Sequence, residues 1–111
     1  MSSRVVTLTA DNFEATALAR ERTTVVDFWA TWCPPCRALA PAIDALAQER
    51  ADIVVGKLDV DAHPEVAERY GVSGIPTVLV FRNGELAARS VGLVPIARLR
   101  ELLEAKAEAI A

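Results

Sequence analysis

The sequence predicts an α/β fold: a single domain over residues 1–111, built on a five-stranded mixed β-sheet sandwiched by four α-helices in the order β-α-β-α-β-α-β-β-α. Three observations carry that expectation. The hydrophobic period switches between strand and helix along the whole chain. The run Thr24 to Ala30 (Thr-Val-Val-Asp-Phe-Trp-Ala) is almost wholly apolar, as suits a central strand covered on both faces. Asn83-Gly84 separates two apolar runs, the strongest short-range signal of a hairpin. Strands joined by helices imply parallel crossovers and the terminal hairpin adds an antiparallel edge, so the sheet is mixed.

Each element has a local cause. Val5 to Leu8 is a short β-branched run, after which Thr9 offers its hydroxyl as N-cap to a helix over about Asp11 to Arg20. Thr24 to Ala30 is the next strand. Leu39, Ile43 and Leu46 then recur at helical spacing and predict a helix from about Pro35 to Glu49. Pro41 lies inside it and, lacking an amide hydrogen, predicts a kink without a complete break. Ile53 to Val60 reads as a strand, and Pro64 to Tyr70 as a short helix that Gly71 ends in the left-handed conformation. Thr77 to Phe81 and Leu86 to Val91 flank the turn Arg82-Asn83-Gly84-Glu85. Pro95 opens the last helix, whose apolar stripe is Ile96, Leu99, Leu103 and Ile110.

Composition narrows the function. With 111 residues, 52% apolar and 24% charged, the chain can fill one core and has no room for a second. Twelve basic and 15 acidic side chains give a net charge of −3 with no like-charge block, which argues against nucleic acid and membrane surfaces as partners. The N-terminus passes from Met-Ser-Ser-Arg directly into Val5 without the apolar stretch of a signal peptide, and no other segment is long enough to span a bilayer. The expected location is cytoplasmic, where thiols are kept reduced and a purely structural disulfide is not expected.

Both cysteines of the chain lie in Trp29-Ala30-Thr31-Trp32-Cys33-Pro34-Pro35-Cys36. Two unreactive core cysteines would not need this spacing at a helix start. A structural zinc site wants four ligands, and beyond Cys33 and Cys36 the only nitrogen candidate is His63. Reversible disulfide chemistry remains. Cys33, at the turn into the helix, faces unpaired amides and the positive end of the helix dipole, both of which favour a thiolate, so it is the nucleophile. Cys36, within the first turn and more shielded, lies on the same side and is the resolving thiol. Pro35 fits the first helical position; Pro34 has no evident role.

Asp27 is the one charged residue in the predicted central strand. A carboxylate there is costly as an ion, its pKa should rise, and it could pass a proton to or from a leaving thiol; an exposed strand-edge or turn aspartate is the alternative. Lys57, isolated in Val-Val-Gly-Lys-Leu-Asp-Val, either balances Asp27 from a neighbouring strand or points outward.

With these pieces assembled, the chain resembles the thioredoxin family from about Val5 to Ile110. The resemblance rests on Val25-Val26-Asp27-Phe28-Trp29-Ala30, Trp32-Cys33-x-Pro35-Cys36, Pro41, Tyr70-Gly71-Val72, Gly74-Ile75-Pro76-Thr77, Asn83-Gly84 and Val91-Gly92, in family order. It implies a thioredoxin fold and a thiol-disulfide oxidoreductase acting on cytoplasmic proteins. It further implies that Pro76 is a cis-proline facing the disulfide and that the Ile75 backbone pairs with an extended substrate segment. Trp32, Ile75, Pro76, Gly92 and Leu93, with Pro34 and Pro35 of the loop, become the substrate-binding surface around Cys33. Without the resemblance these are turn and core residues, and Pro76 a strand-start proline. Trp29 remains a core residue either way. Asp27 becomes the buried proton relay and Lys57 its neighbour. No cofactor is expected on the chain, which would act as a monomer on client proteins with reducible disulfides. Its electrons would come from NADPH through a flavin-containing thioredoxin reductase.

One position departs from the family pattern, which usually has Gly where this chain has Pro34. Losing an amide donor near Cys33 would make the pair more reducing, whereas a stiffer loop could strain the disulfide and make it more oxidising. A specialised relay or disulfide isomerase with a shifted potential is the nearest rival function. A non-redox binding subunit is the rival from another class.

Overall fold

The strand expected at the centre is at the centre. In the computed structural model, which describes residues 4–104, β2 (Thr23–Trp29) is flanked by β3 (Val54–Asp59) and β4 (Thr77–Arg82) in a five-stranded sheet of order β1-β3-β2-β4-β5. The edges are β1 (Val6–Leu8) and β5 (Glu85–Val91). β1 pairs with β3 and β3 with β2 in parallel, while β4 runs antiparallel to both β2 and β5. Alternation along β2 separates two cores. Val25 faces the helices α2 (Pro34–Glu49) and α4 (Ile96–Leu102) and meets Leu39, Ile43, Leu46 and Leu99. Val26 and Phe28 face α1 (Phe13–Ala17) and α3 (Pro64–Arg69), joining Phe13, Val66, Leu79 and Phe81. Burial on both faces is why β2 reads as an unbroken apolar run.

The element boundaries depart from the sequence expectation at the ends of α1, α2 and α4. Thr9 is not the N-cap of α1. Its hydroxyl accepts the Asn12 amide at 3.2 Å while Asn12 Oδ1 accepts the Thr9 amide at 2.7 Å, closing a turn that delays the helix to Phe13 and leaves it five residues long. α2 begins at Pro34, one residue earlier than expected, and continues through Pro41 to Glu49. Pro95 is the N-cap of α4 and not its first helical residue; Leu103 follows that helix as its C-cap, and Ile110 of the expected stripe lies outside the described residues. Gly71 does end α3. With φ +67° it lets the Val72 amide reach Ala67 O at 2.9 Å and the Gly71 amide reach Glu68 O at 3.1 Å, the paired bonds of a Schellman motif.

The hairpin turn is Asn83-Gly84, both at positive φ, between the paired residues Arg82 and Glu85. A Cβ on Gly84 would sit 2.7 Å from the carbonyl oxygen of Leu18. Gly84→Ala should therefore lower stability by about 2 kcal/mol, from backbone strain alone and before the collision is counted. A thermal melt should drop by roughly 10 °C; an unchanged melting temperature would show that the turn re-forms around the methyl group.

Candidate active site

α2 delivers both cysteines. Cys33 is its N-cap, in extended geometry (φ −96°, ψ 106°), and Pro34 and Pro35 take the first and second helical positions. Pro35, expected at the first, is thus displaced by Pro34, which gains the role it lacked: its missing amide hydrogen falls where a helix leaves that group unpaired. The Cys36 amide donates to Cys33 Sγ at 3.2 Å and the Cys33 amide to Ala30 O at 3.2 Å, so each first-turn donor is either absent or satisfied. No acidic side chain occupies that turn, which leaves the positive end of a 16-residue helix to the sulfur.

An N-cap side chain accepts from the second or third helical amide, not the first. Pro34 therefore takes no donor from Cys33, and the route to a more reducing pair through a lost amide falls away. Pro34→Gly should leave the thiolate pKa of reduced Cys33 unchanged while lowering stability by about 1 kcal/mol, chiefly by freeing the unfolded chain. A fall of that pKa, followed by thiolate absorbance, would show that the first amide does reach the sulfur.

The cysteines are joined in a disulfide with Cα atoms 5.3 Å apart. Each is only 2% exposed, so the greater shielding expected of Cys36 is absent in this oxidised form, with Ala30, Trp29, Val60 and Ile75 around both cysteines. Trp29 is only half-buried, contrary to its assignment to the core, and carries Lys57 Nζ 5.3 Å from its ring centroid.

Other segments converge on this end of α2. The Ile75–Pro76 peptide bond is cis, and Ile75 O lies 3.9 Å from Cys33 Sγ. Pro76 O accepts the Gly92 amide at 2.7 Å, where Gly92 has φ +99°; this brings the Val91–Leu93 turn beside Ile75. Trp32, Val91 and Leu93 are 63%, 61% and 55% exposed, an uncovered apolar rim around a covered disulfide. Val91 was not foreseen, since strand alternation alone does not tell which end of β5 is open.

Asp61 was also missed. Its Oδ2 accepts the Trp32 indole N–H at 2.7 Å, and Asp59 Oδ1 fixes it by accepting the Asp61 and Ala62 amides. Asp-Val-Asp-Ala-His-Pro announces a side-chain-capped loop before a helix, but nothing in it points to Trp32. His63, weighed above as a metal ligand, accepts the Ala10 amide through Nδ1 at 3.1 Å. Among the described residues no group of three or more His, Cys, Asp or Glu is placed to hold a metal ion.

Asp27 is 4% exposed, and its Oδ1 has no hydrogen-bond partner among the described residues. Burial pushes its carboxyl up from 3.8 to about 7, against a smaller lowering by Lys57. Lys57 is its register partner across the parallel β2–β3 pair, with its own side chain exposed. Asp27 lies two residues from Val25, packed against α2, and two from Trp29, packed against the cysteines, so it shares the face of β2 that the start of α2 covers.

Among the described residues no helix is long and apolar enough to cross a membrane. The thioredoxin family model matches residues 4–105. The chain is 42% identical to a thioredoxin of Rhodospirillum rubrum over 95 residues, covering 85% of this chain and 91% of that one. It is 41% identical to one of Streptomyces clavuligerus over 99 residues (89% and 92%), and 43% identical to one of Mycobacterium tuberculosis over 102 residues (90% and 88%). With a disulfide at the head of α2, a cis-proline segment against it and this likeness along nearly its whole length, the chain belongs to the thioredoxin family of thiol-disulfide oxidoreductases.

Proposed function

We propose that this oxidoreductase is a single-domain, monomeric, cytoplasmic electron carrier that reduces disulfides of client proteins and is itself reduced by a flavin-containing thioredoxin reductase using NADPH. The observation that carries the proposal is the N-cap position of Cys33: the Cys36 amide donates to its sulfur at the open end of the helix dipole. In the reduced protein the Cys33 thiolate attacks one client sulfur, the client S–S bond breaks, and its other sulfur leaves as a thiolate. Cys36 gives its thiol proton to the Asp27 carboxylate and attacks Cys33 Sγ, expelling the second client thiolate and closing the Cys33–Cys36 disulfide. The client gains two electrons; Asp27 returns its proton to a leaving thiolate and solvent supplies the other. With its carboxyl raised by burial to about 7, against a smaller lowering by Lys57, Asp27 is partly ionised near neutrality and can accept that proton.

The client segment docks on the rim. It pairs as an added strand with the Ile75 backbone, and Trp32, Pro34, Pro35, Pro76, Gly92 and Leu93 shape the apolar bed that sets its sulfur against Cys33. The test is NADPH oxidation in a mixture of this protein, a thioredoxin reductase and insulin. NADPH consumption that needs all three supports the proposal. Insulin reduction driven by dithiothreitol, with no NADPH oxidation in the presence of the reductase, would assign the chain to a different electron source.

A further inference from the structure

Residues between β2 and α2 form a tight turn: the Cys33 amide donates to Ala30 O at 3.2 Å, making Thr31 and Trp32 its central pair. The peptide joining such a pair is the part of a turn that can flip. Flipped, it would place Trp32 near φ of about +80°, and Trp32 is not among the non-glycine residues at positive φ. The carbonyl of that peptide, Thr31 O, accepts Nη1 of Arg37 at 2.8 Å. Arg37 lies one turn into α2, where its own amide bonds to Cys33 O at 3.2 Å. The guanidinium thus reaches back to the β2–α2 turn and holds the peptide whose orientation decides where Trp32 stands. Asp61 holds the far end of the same side chain through its indole N–H.

We propose that Arg37 is a positioning residue for client binding, acting through Thr31 O to hold the turn that presents Trp32. The proposal rests on the docking role given to Trp32 above. An exposed tryptophan held at both backbone and indole meets a client without first being ordered, so the hydrogen bond contributes to binding more than to chemistry. Arg37 and Thr31 are exposed whereas both cysteines are buried, and reaction with a small reductant that needs no docking surface should not feel the loss.

The test compares wild type, Arg37→Met, Arg37→Lys and Trp32→Ala, all at exposed positions where folding is not at risk. Three quantities are read: KM and kcat for insulin reduction, the rate at which dithiothreitol reduces the Cys33–Cys36 disulfide, and ¹⁵N relaxation of the Trp32 amide and indole. In Arg37→Met, KM should rise roughly 3- to 10-fold, the range of one ordinary net hydrogen bond at a solvent-exposed site, with kcat and the dithiothreitol rate unchanged. The Trp32 signals should gain fast motion, and Arg37→Lys should recover both effects only in part, because an ammonium offers a point donor in place of a planar fork. Unchanged KM and Trp32 relaxation in Arg37→Met, with KM raised in Trp32→Ala, would overturn the positioning role and leave docking intact. A raised KM fully restored by lysine, with Trp32 equally ordered throughout, would overturn it in favour of charge steering. An unchanged KM in Trp32→Ala would overturn the docking role and remove the positioning role with it.

Discussion

Cys33→Ser is expected to abolish insulin reduction, lowering turnover by roughly 10³-fold or more, because a serine oxygen cannot carry the mixed disulfide. The fold supplies a clean comparison. Cys33 and Cys36 close a loop of sequence separation 3, so the reduced wild-type protein, and not the oxidised one, is the proper reference for stability. Against that reference Cys33→Ser should melt within about 1 kcal/mol, since a serine hydroxyl at an N-cap accepts the Cys36 amide at least as well as sulfur does. Lost turnover in a protein of unchanged stability separates an electron carrier from a binding subunit, whose partner affinity would survive the substitution. Retained turnover would mean that the chemistry lies elsewhere.

The second large effect belongs to Asp27 and is a matter of pH. Below 3.8 the carboxyl is protonated in the folded and the unfolded chain alike. Between 3.8 and about 7 the unfolded chain releases the proton and the folded chain keeps it, so stability falls as pH rises. Above that window the full penalty stands, about 4 kcal/mol for a shift of this size. Asp27→Ala removes the ionisation altogether. It should flatten the stability curve between pH 4 and 8 and at pH 8 raise the melting temperature by roughly 15 °C, the small cavity left behind subtracting a little. The same substitution should slow the resolving step by roughly 10²-fold near neutrality, the usual worth of a positioned proton acceptor. Stability curves that run parallel in the two proteins would show that the carboxyl ionises normally despite its burial.

Much of this was legible in the sequence because several signals were redundant. The central strand announced itself by apolar residues on both faces, the hairpin by Asn83-Gly84, and the end of α3 by a glycine whose left-handed backbone no other residue adopts as readily. Asp27 stood out as the single charge in that strand, and its burial with a raised pKa is what such a position dictates. Errors gathered where two local options lie within a turn of each other. Thr9 and Asn12 are both good caps, and their reciprocal bonds made a turn in place of a helix start. Either Pro34 or Pro35 could open α2, and only the geometry of Cys33 decides between them. Asp61 and Arg37 were illegible for a different reason. Each reaches the Thr31–Trp32 turn through a side chain whose target, an indole from another segment or a carbonyl six residues back in the turn before α2, leaves no periodic trace.

The division of labour between the two sulfurs is tested most directly by trapping. Reduced Cys36→Ser is mixed with insulin and the products are resolved by mass spectrometry under acid quench, with reduced Cys33→Ser treated in parallel. The N-cap geometry of Cys33 predicts a stable one-to-one adduct through Cys33 in the first protein and none in the second. An adduct through Cys36 in the second protein, or none in either, would contradict it.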